Sequence, residues 1–196
     1  YNKILYNIYI KERSYDMYRL LVIVDAQNDF VTGSLGSKTA DAAVPNIVSL
    51  IQNHEWDNIV CTMDTHGDDY FETLEGKKLP VKHCEQTSPG WCMDSRVLVA
   101  LGNKYNFYEK DTFGSTDMVN EVYNSLKMKN QEEVEIHICG FCTDVCVMAN
   151  TVMLRAAMPN TRIVVHSRAC AGVTKKAHEA ALEIFSSQQI DVEDWV

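Results

Sequence analysis

Four chemically capable groups follow directly after apolar runs in this 196-residue chain: Asp25, Asp64 with His66, Lys110, and Cys146 just beyond its run. A carboxylate, a lysine and a cysteine are together sufficient for nucleophilic catalysis. The carboxylate supplies a base, the cation favours the thiolate, and the thiol attacks. The cysteine lies in Gly140-Phe141-Cys142-Thr143-Asp144-Val145-Cys146-Val147. Gly140 permits a sharp turn, and Thr143 or Asp144 is placed to cap the helix that follows. Cys146 then falls in the first helical turn, where unpaired N–H groups and the helix dipole stabilise a thiolate. The bland alternative is that Cys146 is a small buried hydrophobe, as most free cysteines are. Polar residues also commonly follow apolar strands for no catalytic reason.

Asp64-x-His66 followed by His83 has the composition of a metal site, with Glu75 available as a fourth ligand. Two histidines with carboxylates suit zinc, iron or manganese better than magnesium or calcium. The bare D-x-H pattern is common, and it gains weight here from its place at a strand end. His54, His137, His166 and His178 have no evident partners and are read as structural or surface residues. No Walker loop, dinucleotide glycine fingerprint or G-x-S-x-G elbow is present.

The elements that must position these groups alternate. Leu20–Val24 is an unbroken apolar run, as expected of a strand covered on both faces. Ala42 to His54 reads as a helix with Pro45 in its first turn, and Asn58–Met63 as a second strand. Residues 67–92 form a long polar loop, a length that is more often functional than idle. A helix over Ser95–Leu101, a strand over Tyr105–Glu109 and an amphipathic helix over Thr116–Met128 follow. Val134–Cys139 is the strand before the cysteine motif and Val147–Ala157 the helix after it. Arg162–His166, Thr174–Ser187 and Ile190–Val192 complete the series as strand, helix and short strand. This alternation predicts a three-layer α/β/α sandwich with a mainly parallel, Rossmann-like sheet, whose ligands bind beyond the strands' carboxyl ends.

Hydrophobic residues make up 46% of the chain, which is enough for a sizeable core. A net charge of −9, from 27 acidic against 18 basic residues, disfavours nucleic acid or an anionic membrane surface as partner. No apolar run approaches membrane-spanning length, so a soluble protein is expected. The seven cysteines are odd in number and several lie inside expected strands, which favours reduced thiols and a cytoplasmic location. Met17 is the more natural start. Residues 1–16 are read as an N-terminal extension and excluded from the fold, the alternative being an edge strand through Ile8-Tyr9-Ile10. A single domain over 17–196 and a homo-oligomeric assembly are expected.

From about Met17 to the C-terminus the chain resembles the isochorismatase-like cysteine hydrolases, and among them the nicotinamidases. The likeness rests on Val24-Asp25-Ala26-Gln27-Asn28-Asp29-Phe30, on Asp64-Thr65-His66 with Pro80-Val81-Lys82-His83-Cys84, on Glu109–Ser115, and on Gly140–Val147. It implies a triad of Asp25, Lys110 and Cys146, and a divalent metal, zinc first and iron or manganese next, held by Asp64, His66, His83 and Glu75. It also implies a cis peptide at Phe141–Cys142 and an oxyanion hole from the backbone N–H groups of Cys142 and Cys146. The implied reaction converts nicotinamide to nicotinic acid and ammonia through a thioester, a step of NAD salvage. The metal would orient the pyridine nitrogen and Phe30 would wall the ring. One departure stands out: Leu79 occupies a position where these enzymes often carry tryptophan, so a different small amide is the alternative substrate.

Two other classes compete. A thiol–disulfide protein would use the C-x-x-C of Cys139 and Cys142, leaving Asp25, Lys110 and the Asp64/His66/His83 set without a role. A non-catalytic binding domain would have little reason to keep a complete triad.

Overall fold

The computed structural model describes residues 17–195; the extension and the alternative edge strand expected within residues 1–16 lie outside the described residues. Six strands form one sheet: β1 (Tyr18–Val24), β2 (Asn58–Asp64), β3 (Asn106–Lys110), β4 (Val134–Phe141), β5 (Arg162–Ala171) and β6 (Asp191–Glu193). Their order is β3-β2-β1-β4-β5-β6, and every pairing is parallel. This is the doubly wound order, in which the connections reverse direction between β1 and β4. Leu21 to Val24 are fully buried, as a strand with helices over both faces requires.

Among the described residues seven α-helices flank the sheet: α1 (Asn28–Val31), α2 (Lys38–Asn53), α3 (Leu74–Lys78), α4 (Ser95–Leu101), α5 (Thr116–Leu126), α6 (Met148–Ala157) and α7 (Lys175–Ser187). Right-handed crossovers place those of the β1–β2–β3 half on one face and the rest on the other. Consistent with this, α2 packs against α4, and α5 against α6. Among the described residues no helix is long and apolar enough to cross a membrane.

Several boundaries differ from expectation. Helix α2 begins four residues earlier than its apolar pattern suggests, because the Ser37 side chain accepts from Ala40 N at 3.0 Å and caps it there. Pro45 therefore lies inside the helix rather than in its first turn. The polar loop contains a 3₁₀ turn at Tyr70–Glu72 and the short helix α3, which Thr73 caps. Strand β5 continues five residues past His166, with a register shift against β4 between Ile138 and Gly140.

Strand β4 also runs two residues beyond Cys139, so Gly140 extends the strand instead of turning it. Its φ is 120°, and a Cβ there would lie 2.0 Å from the carbonyl oxygen of Val24. Only glycine lets β1 and β4 approach this closely at the point where both deliver their reactive residues.

Candidate active site

Asp25 directly follows β1, Asp64 and Lys110 end β2 and β3, and Cys146 lies beyond β4, so one edge of the sheet gathers all four. Asp25 has a positive φ of 47°, a left-handed conformation uncommon outside glycine, and its side chain is completely buried. Its Oδ2 lies 2.7 Å from Lys110 Nζ. This is a buried ion pair, and Lys110 is the group that satisfies Oδ2. The other oxygen, Oδ1, accepts from Thr62 Oγ1 at 2.6 Å. Lys110 Nζ also reaches Asp64 Oδ1 at 3.1 Å and Cys146 Sγ at 3.7 Å. Lys110 thus contacts both Asp25 and Cys146, and the cysteine is only 4% exposed.

The cysteine's setting differs from a capped α-helix. Residues Thr143–Val147 form a π-helical turn, entered from a cis peptide at Phe141–Cys142, and no side chain caps it. Thr143 Oγ1 is instead 2.8 Å from His178 Nδ1, and Asp144 Oδ1 accepts from Val173 N. Asn150 anchors the turn: its Nδ2 donates to the Cys146 carbonyl at 2.8 Å, and its Oδ1 accepts from Ser115 N.

The electrostatics follow from burial. Desolvation pushes the Cys146 thiol well above its ordinary range, with Asp25 adding to this and Lys110 opposing it. Burial thus opposes the thiolate that a helix N-terminus favours. Burial also raises the Asp25 carboxyl, against the pull of Lys110. Burial alone would lower Lys110, but Asp25, Cys146 and Asp64 outweigh it and hold the ammonium protonated. Asp25 and Cys146 thus both have a raised affinity for a proton, side by side on one buried ammonium.

Across Asp64 lies the second cluster. Its Oδ2 is 3.0 Å from His66 Nε2 and 3.2 Å from His83 Nε2. One atom from each of the three residues falls within 4.8 Å of the others, and all three residues are buried. His83 Nδ1 faces the Val81 carbonyl at 2.9 Å. A carbonyl only accepts, so the proton is on Nδ1 and a neutral ring turns the Nε2 lone pair towards Asp64. Buried acceptors that converge in this way need a proton or a cation between them, and two imidazoles with a carboxylate are the donor set of zinc, iron or manganese. Glu75 stands at the margin, its Oε1 3.6 Å from His83 Nε2 and 3.9 Å from His66 Nε2. It is in reach of the histidines but outside the tight group.

The Phe30 ring meets His83 edge-on at 5.7 Å. Leu79 directly follows α3 as its C-cap and is over a third exposed, and it meets the cluster through its carbonyl, which accepts from the Tyr70 hydroxyl at 2.8 Å. Tyr70 itself is fully buried, 4.7 Å from the His66 ring and 5.2 Å from His83. It is an aromatic wall that the sequence reading missed, since nothing in a loop pattern says which aromatic turns inward. Gln27 was missed as well. Its amide donates to the Asp64 and Trp91 carbonyls and its oxygen accepts from Asp64 N, which fixes the end of β2.

A family model described as the isochorismatase domain matches residues 19–195. The nicotinamidase/pyrazinamidase of Mycobacterium tuberculosis is 27% identical over 189 residues, covering 89% of this chain and 97% of that protein. The crystal structure of nicotinamidase/pyrazinamidase PncA from Bacillus subtilis aligns with a TM-score of 0.74 at 25% identity, covering 91% of this chain and all of that one. The pyrazinamidase of Pyrococcus horikoshii in complex with zinc shares the fold, with a TM-score of 0.73 at 21% identity over 90% of this chain and 99% of that chain.

Proposed function

The chain belongs to the isochorismatase family, and from that premise we propose that it is a cysteine amidohydrolase that converts nicotinamide to nicotinic acid and ammonia. One observation carries the reading. Lys110 Nζ touches Asp25, Cys146 and Asp64 at 2.7, 3.7 and 3.1 Å, so a single buried cation joins a base, a nucleophile and a metal-ligand set.

In the proposed mechanism Asp25 Oδ2 takes the Sγ proton as Cys146 attacks the carbonyl carbon, forming the S–C bond. Lys110 offsets the negative charge as it moves from carboxylate to sulfur and back. Backbone N–H groups of Cys142 and Cys146 receive the oxyanion. As the C–N bond breaks, Asp25 returns its proton to the nitrogen and ammonia leaves. Water then attacks the thioester, giving one proton to Asp25, which passes it to the departing sulfur. The raised affinity of Asp25 for a proton suits a group that must both take and give.

We assign Asp64, His66 and His83 as metal ligands, with Glu75 as a further carboxylate. A divalent ion held there supplies a Lewis-acid contact for a ring nitrogen, which orients an otherwise featureless amide. Phe30 and Tyr70 would flank the ring, and Leu79 would leave the outer wall less aromatic. Among the competing classes, a dithiol redox site is disfavoured by burial, which pushes the Cys142 thiol up to about 12 and raises Cys139 as well. All seven cysteines are free, in keeping with a reducing cytoplasmic location.

The test is ammonia release from nicotinamide and from benzamide, which has the same shape without the ring nitrogen. Nicotinamide should be turned over, Cys146→Ala should be inactive, and chelation should cost nicotinamide turnover far more than any benzamide turnover. Equal use of both amides, unaffected by chelation, would leave only the broader amidohydrolase.

A further inference from the structure

The triad's base is held by a residue outside the triad. Thr62, fully buried in β2, contacts Asp25 twice: its carbonyl accepts from Asp25 N at 3.2 Å, and its hydroxyl donates to Oδ1 at 2.6 Å. Asp25 needs this support because its left-handed backbone makes it a poor continuation of β1, and its carboxylate is completely buried. The two oxygens also have unequal surroundings. Oδ1 is engaged by the threonine hydroxyl, while Oδ2 faces the Lys110 ammonium at 2.7 Å.

We infer that Thr62 is a positioning residue for the proposed hydrolysis: its hydroxyl fixes the Asp25 carboxylate so that Oδ2 alone faces the Cys146 thiol and exchanges its proton. This rests on the amidohydrolase reading above. A carboxylate can rotate about its terminal torsion, which is broad and roughly two-fold. Occupying Oδ1 removes that freedom and stabilises the anion able to accept a proton. Without the donor, Oδ1 is buried and unsatisfied, and Asp25 holds its proton to higher pH. A protonated Asp25 has no place for the thiol proton, so the acid limb of turnover moves to higher pH.

The variants are Thr62→Val, which keeps the shape and removes the donor, and Thr62→Ser, which keeps the donor and removes a methyl. A hydrogen bond to a charged group supports a loss in kcat of about 10- to 100-fold for Thr62→Val, with KM within a few-fold. Thr62→Ser should recover most of the rate. The acid limb of kcat should shift upward for Val and not for Ser. A second readout needs no substrate: the rate of iodoacetamide alkylation of Cys146 against pH should be displaced in Thr62→Val alone. Should the valine variant fail to fold, Thr62→Cys against Thr62→Ser serves instead, since the weaker thiol donor must then give the lower kcat. Unchanged kcat and pH profiles in Thr62→Val overturn the inference, as do equal losses in Val and Ser with unshifted profiles. If the wild-type protein releases ammonia from neither amide, the amidohydrolase reading has failed instead, and the alkylation profiles still decide whether Thr62 governs Asp25.

Discussion

Acidification should destabilise this fold through His166, and by an amount that can be worked out. Four aromatic groups close over the sheet away from the triad. His137 Nδ1 lies 2.9 Å from His166 Nε2, the two rings stack at 5.2 Å, and Trp195 and Trp56 cover them at 4.6 and 5.0 Å. His166 Nδ1 donates to the Trp195 carbonyl at 3.1 Å. With its pKa lowered, the ring is neutral at pH 7, and in that tautomer Nε2 accepts from His137. His137 in turn places Nε2 3.4 Å from Glu135. Other charged or titratable neighbours are His54 at the end of α2, Arg162 at the start of β5 and Glu193, which pairs with His166 across β5 and β6. Burial, then His137, pushes His166 down to about 4, with the Trp195 carbonyl opposing. Above pH 6.5 folded and unfolded chains are both neutral at this site, and it costs nothing. As pH falls through 6.5 the unfolded chain gains a proton that the folded chain refuses, so stability is lost until the folded pKa is reached. Integrated from pH 7 to 5, a shift from 6.5 to 4 amounts to about 2 kcal/mol. Urea unfolding at both pH values measures it, provided the slope m is the same. Other groups titrate in that window, so the quantity to compare is the difference from His166→Gln, whose amide oxygen accepts from His137 and cannot titrate. The variant should lose about 2 kcal/mol less than wild type between pH 7 and 5. Equal losses in both would refute the argument.

Three further outcomes follow from the site. Lys110→Ala leaves Asp25 and Asp64 buried without their shared cation, and should cost about 3–5 kcal/mol in urea unfolding as well as abolishing turnover. Asp25→Asn cannot take the thiol proton, so kcat should fall by about 100-fold or more while circular dichroism stays unchanged. Gly140→Ala forces a Cβ to within 2.0 Å of the Val24 carbonyl at a positive φ, and should lower stability by roughly 4 kcal/mol or more, read as failure to give a cooperative melt.

The sheet was legible because buried parallel strands write themselves as apolar runs, and Leu20–Val24 and Val134–Cys139 are unambiguous in that respect. The positions of Asp25, Asp64, Lys110 and Cys146 followed from the ends of those runs. What escaped depended on side chains spent elsewhere. Strand β5 was read as ending at His166 because Ser167 and Arg168 break the run. In the fold, Ser167 donates to the Glu193 carbonyl, and the Arg168 carbonyl accepts from Asn46, so the break is satisfied and the strand continues. Thr143 and Asp144 looked like caps, yet each bonds to the α7 end of the molecule. His137 and His166 looked unpartnered because their partnership joins strands 29 residues apart.

The two oxygens of Asp64 face different chemistries, Oδ1 towards Lys110 and Oδ2 towards His66 and His83. A carboxylate shared in this way cannot answer to one side alone. If an ion at the histidines draws on Oδ2, it changes how tightly Oδ1 restrains the lysine. Linkage makes that effect reciprocal at equilibrium, so a ligand whose binding shifts Lys110 would alter ion affinity by the factor by which the ion alters that ligand's. Protein with and without a group on the Cys146 sulfur would then differ in how firmly it retains an ion, and equilibrium competition with a chelator would read the state of the sulfur from the far side of a single side chain.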